Sequence, residues 1–180
     1  MANRSLLKSQ IREAWRQSIA NDYAAQRINS ERSLQASLWS NLNTLLAPKT
    51  RRMFIEPCMS TPGLDRQLRY PDLVICNSRK VIGIIELKYQ PRAQPRWRKD
   101  IDTFHFLATH RNVISISNSR FLGIAVDART YPLARDVLFV WAGVQAPCEL
   151  KLSEYVDSTL APYFMSLHAQ TQHSGAPTLR

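Results

Sequence analysis

The apolar residues along the chain fall into two spacings, and where one gives way to the other the elements can be marked off. From Asn3 to Gln26, Leu6, Leu7, Ile11, Ala14, Trp15 and Ile19 recur near every third or fourth position with Arg and Lys between them, which predicts an amphipathic helix. A second helix is expected to start at Ser30, a good N-cap residue, and to run through Glu31, Leu34, Leu38, Leu42 and Leu45 until Pro48 stops it. After the basic turn Lys49-Thr50-Arg51-Arg52, the run Met53–Pro57 reads as a strand, followed by the loop Ser60–Arg66 with Pro62 and Gly63 as punctuation. Two Val- and Ile-rich runs, Leu73–Cys76 and Val81–Ile85, then flank the polar residues Asn77, Ser78, Arg79 and Lys80, the pattern of a β-hairpin.

Beyond the hairpin, Ile101, Phe104, Leu107 and Ala108 mark the inner face of a helix over Lys99–Thr109, with Asp100 and Asp102 suited to its first turn. Phe121–Val126 reads as a strand that a right-handed crossover would bring parallel to Val81–Ile85. Val137–Val140, extended by Trp141, reads as the next strand, reached through a turn around Pro132. Ser153–His168 is expected to be helical, kinked or restarted at Pro162, and Gln170–Arg180 to be a loose polar tail. The order helix, helix, strand, hairpin, helix, strand, strand, helix predicts an α/β protein with a mixed central β-sheet flanked by helices.

Length and composition narrow this further. With 180 residues and 44% hydrophobic content the chain is long enough for one domain with a real core, which we place at residues 1–169 with an N-terminal helical extension, leaving 170–180 as the tail. No run of eighteen apolar residues occurs, and the opening MANRSLLKSQIREAW carries charge at helical spacing instead of an apolar signal core, so a cytoplasmic protein without a membrane partner is expected. The three cysteines, Cys58, Cys76 and Cys148, are odd in number and lack CxxC spacing, which argues against both a disulfide framework and a zinc site. His105 and His110 lie five apart, without an HExxH pattern, and read as ordinary histidines.

Charge changes the picture most. A net charge of +10 and a pI near 10.0 favour a polyanionic partner through counterion release, with nucleic acid ahead of an anionic membrane because no strongly apolar amphipathic face supports the latter. The basic face of the first helix, Arg4, Lys8, Arg12 and Arg16, either touches phosphates or is solvated.

The candidate chemistry sits at the hairpin. Period-two geometry puts Glu86 and Lys88 on one face of its second strand, and Asp72, behind Pro71 at the start of the first strand, meets them if the strands pair antiparallel with a short turn. Alternating Glu and Lys can instead mark a solvated edge strand or a structural ion pair. The preceding VIGII, however, is the pattern of a strand covered on both faces, where an unshared charge costs several kcal/mol.

Pro71-Asp72, thirteen residues, then Glu86-Leu87-Lys88 resembles the signature of the PD-(D/E)XK superfamily of restriction-endonuclease-like nucleases, and the likeness in element order spans roughly Ser30 to Val140. It implies an αβββαβ core with the site at an edge of the central sheet. It also implies that Glu31, on the helix preceding the sheet, joins the metal site; the other reading of Glu31 is a first-turn acid suited to the helix dipole. Glu56 is a rival acidic ligand.

The function that follows is a nuclease dependent on Mg²⁺, with Mn²⁺ as a substitute, that hydrolyses phosphodiester bonds in DNA ahead of RNA. Asp72 and Glu86 would be catalytic metal ligands, Glu31 a third ligand, and Lys88 the residue that positions the attacking water or holds transition-state charge. The basic, proline-stiffened loop after the site, with Arg92, Arg96, Trp97, Arg98 and Lys99, would contact nucleic acid through Arg forks and a stacking Trp97; the alternative is a solvated loop with Trp97 against the core. A homodimer or a larger nuclease complex would suit cleavage of both strands. The rival reading is a non-catalytic nucleic-acid-binding or assembly protein on the same fold, and a third is a protein-interaction subunit with an acidic protein as partner.

Overall fold

A computed structural model describes residues 4–46, 50–61, 63, 68–117, 130–172 and 177–179. The chain is an α/β protein with a mixed sheet. Helix α1 (Ser5–Gln17) continues as a π-helical segment to Tyr23, and α2 (Glu31–Leu45) begins at Ser30, whose hydroxyl accepts the Ser33 N–H while the Ser33 hydroxyl accepts the Ser30 N–H. The two helices pack on one another, and Leu7, Ile11, Ala14 and Trp15 of α1 and Leu34, Leu38 and Leu42 of α2 are buried. The helical spacing marks these as inward; Leu6, which it also marks, is exposed.

Strands β1 (Arg52–Ile55), β2 (Met59–Ser60), β3 (Leu73–Cys76) and β4 (Val81–Gln90) precede α3 (Arg98–Thr109). Then come β5 (Ser115–Ser117), β6 (Thr130–Gln145), β7 (Phe164–Gln170) and β8 (Thr178–Leu179). The main sheet runs β1-β3-β4-β6-β7-β8, with β5 and then β2 attached beside the first residues of β6. The pairs β1–β3 and β3–β4 are antiparallel, whereas β4–β6 and β6–β7 are parallel. From α2 the described elements run α2, β1, β2, β3, β4, α3, β5, β6; with the short β2–β5 pair set aside, the order is αβββαβ.

The hairpin forms for a local reason. The Asn77 side-chain oxygen accepts the N–H groups of Arg79 and Lys80 at 2.8 and 2.7 Å, closing the turn between β3 and β4. All four residues of β3 and the first five of β4 are buried, as expected for apolar runs covered on both faces. Alternation then decides what each face of β4 meets. Leu87 and Tyr89 turn toward α1 and α2, where the Tyr89 hydroxyl donates to Ile28 O, and Glu86 and Lys88 turn toward α3. On the α3 side, Phe104 packs against Phe139 of β6 and Phe164 of β7.

Several expectations are corrected. The late helix over Ser153–His168 is instead two short 3₁₀ turns, Leu152–Tyr155 and Ala161–Tyr163, leading into β7. Met165, Leu167 and Ala169 alternate at period two and are buried, and the free edge of β6 needs partners for its backbone groups, which β7 supplies. Pro132 lies within β6 near its start, opposite Ser115, and is no turn; proline is tolerated early in a strand. The first strand is Arg52–Ile55, with Glu56 beyond it at a positive φ of 46°. Of the segment expected to be a loose tail, Gln170 closes β7 and Thr178–Leu179 pair back on it as β8. Pro48, part of the loop Ser60–Arg66 and the strand expected at Phe121–Val126 lie outside the described residues. Cys58, Cys76 and Cys148 are free, and among the described residues no helix is long and apolar enough to cross a membrane.

Candidate active site

The β3–β4 register places Leu73 opposite Ile85, so Asp72 lies beside Glu86 where the first strand begins and the second emerges from the core. Asp72 is held at three points. Its Oδ2 accepts the Leu87 N–H at 2.6 Å, and its backbone carbonyl accepts the Gln35 side-chain amide at 2.9 Å and the Glu56 N–H at 3.1 Å. Both bonds to the carbonyl come from elements flanking the hairpin, α2 and the end of β1. Glu31, in the first turn of α2, accepts the Tyr89 N–H at 3.3 Å. Asp100, in the first turn of α3, lies 3.3 Å from Lys88 Nζ. Glu31, Asp72, Glu86, Lys88 and Asp100 line one cleft of ≈ 620 Å³, joined on its walls by Arg69, Arg96 and Lys99.

Burial pushes the Asp72 carboxyl up to about 6, against the Leu87 N–H, and the negative charge of Glu31 adds to the rise. Glu86 is driven well above the ordinary range by burial, then by the carboxylates of Asp72 and Asp100, with Lys88 as the opposing attraction. Asp72 and Glu86 lie side by side, so the two carboxyls titrate as a coupled pair. For Lys88, burial alone would lower the value, but Asp100, Glu31 and Asp72 together outweigh it and hold the side chain as an ammonium. A neutral Lys88 acting as a base does not fit that environment. Its charge suits it to hold developing negative charge.

The donor set fits a hard divalent cation such as Mg²⁺: two half-buried carboxylates, both raised first by burial and Glu86 further by Asp72, open to a cleft wide enough for water. Among the described residues no three acidic, histidine or cysteine side chains form a ready-made metal cage. Asp72 and Glu86 are therefore the central pair, and Glu31 reaches the same cleft with one oxygen engaged by the Tyr89 N–H. Mg²⁺ commonly takes one or two carboxylates and completes its shell with water and phosphate, so a pair suffices. Glu56 does not line the cleft, and its N–H serves Asp72 instead.

The five residues marked for nucleic-acid contact separate. Arg96 and Lys99 line the cleft. Arg92 lies in a different groove with Tyr23, Tyr89 and Pro147. Trp97 packs on Tyr155 at 4.3 Å between ring centroids, and the Arg98 guanidinium lies 5.6 Å over the Trp97 ring. Trp97 is half-buried, with part of its ring packed against the core. In α1, Arg4 pairs with Asp136 at 2.7 Å and Arg16 with Glu13 at 2.6 Å, so half of that basic face is engaged within the chain. His110 stacks on Phe106 and His105 lies beside Asp157, away from the cleft.

Asp100 is a site residue that the sequence pattern marks only as a first-turn acid of α3. Its signal was present: it lies four residues before Phe104 and so on the inward stripe of α3, where a carboxylate needs a partner. Arg69, whose guanidinium stacks over Phe106 at 4.1 Å, carried no such signal. Comparison with protein-family models, with characterised proteins and with solved structures finds no match for this chain.

Proposed function

We propose that the chain is a metal-dependent nuclease of the PD-(D/E)XK type that hydrolyses phosphodiester bonds, with DNA as substrate ahead of RNA. The observation that carries this reading is the burial of Asp72 against Glu86, with the Lys88 ammonium two residues on, in one cleft that also holds Arg96 and Lys99. Asp72 and Glu86 would hold the cation, Mg²⁺ or Mn²⁺. When bound, it supplies a lowered pKa for a coordinated water and polarisation of the phosphoryl oxygen. Lys88 holds a positive charge beside the reacting phosphate, where negative charge builds in the transition state. Arg96 and Lys99 dock the backbone of the nucleic acid, in keeping with a net charge of +10. A second copy of the chain, or a larger complex, would supply the second cut on a duplex.

The Lys88–Asp100 ion pair favours a second reading, in which the ammonium is spent internally and the fold serves a non-catalytic nucleic-acid-binding or assembly protein. Incubating supercoiled plasmid and linear DNA with the protein in Mg²⁺, Mn²⁺ or EDTA separates the two. Metal-dependent nicking or degradation that is lost in Glu86→Ala and Lys88→Ala is the expected result. Tight DNA binding without cleavage in any metal would overturn the nuclease and favour the second reading.

A further inference from the structure

What fixes Lys88 comes from parts of the chain outside the Asp72/Glu86/Lys88 motif. The β4–β6 register sets Trp141 beside Glu86 and Gly143 beside Lys88. Trp141 and Gly143 share one face of β6, and the indole leans across the glycine: a Cβ there would lie 2.7 Å from Trp141 Cζ3, closer than packed atoms approach. The missing side chain at Gly143 thus leaves the space that the indole fills. Trp141 is fully buried, and its Nε1–H donates to Asp100 Oδ2 at 3.0 Å. The other oxygen of Asp100 faces Lys88 Nζ at 3.3 Å. Asp100 is only 5% exposed, so each of its oxygens needs a partner, and each has one. Two-point holding fixes the direction as well as the presence of the charge. Without it, the ammonium's remaining counter-charges in the cleft are the carboxylates proposed to hold the cation.

We propose that Gly143, Trp141 and Asp100 form a buried tether that positions Lys88, with Asp100 acting through Lys88 and not as a metal ligand; this rests on the nuclease reading of the same site. Trp141 orients the Asp100 carboxylate, and Asp100 holds the ammonium apart from the Asp72/Glu86 pair. Gly143 is the residue that lets the indole reach.

Two measurements test it on the full chain, with thermal melts to confirm that each variant folds. The first is acetylation of lysines by an N-hydroxysuccinimide ester, read by peptide mass spectrometry, with the exposed Lys151 as internal reference. Lys88 should label slowly in the wild type and several-fold faster in Asp100→Asn and in Trp141→Phe, which keeps an aromatic ring but removes the donor. The second pairs plasmid cleavage with Mn²⁺ stabilisation. Asp100→Asn should lower the cleavage rate by about 10²-fold, the cost of misplacing a catalytic group by an ångström, and a ligand role is tested by thermal melts in a Lys88→Ala background. In that background the Mn²⁺-induced rise in melting temperature should be the same with Asp100 or Asn. Unchanged Lys88 labelling overturns the tether whatever the cleavage result. A loss of the Mn²⁺ shift on Asp100→Asn in the Lys88→Ala background overturns it in favour of a ligand role. A wild-type protein that does not cut overturns the nuclease reading and leaves the tether to the labelling result alone.

Discussion

Replacing Asp72 with Asn should make the metal-free protein more stable at neutral pH, although it removes a residue held by three hydrogen bonds. Two of those bonds are to the Asp72 backbone carbonyl and survive the change, and the Asn side-chain oxygen can still accept the Leu87 N–H. What disappears is a carboxylate that the folded chain holds at a cost. Its value rises from an ordinary 3.8 to about 6, chiefly through burial, with the charge of Glu31 adding to it. At about 1.4 kcal/mol for each pH unit, this corresponds to about 3 kcal/mol of folding free energy. Because the folded value is the higher one, stability is fully present below 3.8 and is lost as pH rises through about 6. In EDTA at pH 7.5, Asp72→Asn should therefore raise the melting temperature by up to about 10 °C for a chain of this size. The gain is an upper limit, because Asp72 and Glu86 titrate as a coupled pair and the cost is spread over both. At pH 4 the two proteins should melt together. Millimolar Mg²⁺ should raise the wild type toward the variant at pH 7.5 and leave the variant unmoved, because binding to the native state alone stabilises it. A destabilised Asp72→Asn at pH 7.5, or an equal difference at both pH values, would refute the account of the site as a strained pair of carboxylates.

Three further outcomes follow from the same structure. Arg96→Ala and Lys99→Ala should each weaken DNA binding across sequences and reduce the slope of log K against log salt by about one, whereas Arg98→Ala, whose guanidinium lies over Trp97, should leave the slope unchanged. Cys76, pushed up to about 12 by burial, should resist a thiol-specific disulfide reagent at pH 8 in the native protein, while the partly exposed Cys58 and Cys148 react and all three react in denaturant. Phe104→Ala should cost about 3–5 kcal/mol in urea unfolding, because Phe104 is fully buried between Phe139 and Phe164 and its loss leaves a cavity.

Local signals in the sequence were enough to specify the hairpin and the residues it brings together. Asp72, Glu86 and Lys88 lie within one turn of chain whose register is set by an Asn77 turn and two continuous apolar runs, so period two alone puts them at one end of the sheet. The α1 and α2 faces were equally readable, since both bury residues at helical spacing. What escaped depended on pairing between distant segments. Asp100 and Trp141 meet only because β6 lies parallel to β4 across α3, a register that no local pattern encodes. The same long-range pairing converts the expected late helix into β7: Met165, Leu167 and Ala169 alternate, but the signal is three residues long and stands beside aromatic residues at helical spacing. Trp97 escaped for the opposite reason. Its neighbours are basic and its sequence position is next to the site, yet Tyr155, from a 3₁₀ turn far along the chain, covers its ring.

The charge balance at the floor of the cleft separates a structural ion pair from a site. A structural pair pays for burial by matching charge with charge, and replacing such a pair by apolar residues is often neutral or stabilising. Here Glu31, Asp72, Glu86 and Asp100 lie around Lys88, which Asp100 already engages, while Arg69, Arg96 and Lys99 stand on the walls of the same cleft. Glu86 is driven up first by its burial and then by the charges of Asp72 and Asp100, against the attraction of Lys88. Packing gives no reason for that arrangement, because β3 and β4 are already covered on both faces through their apolar halves. A divalent cation on Asp72 and Glu86 would offset the cost of burying two adjacent carboxyls, and the basic residues on the cleft wall would then meet a phosphate brought in by the same ion.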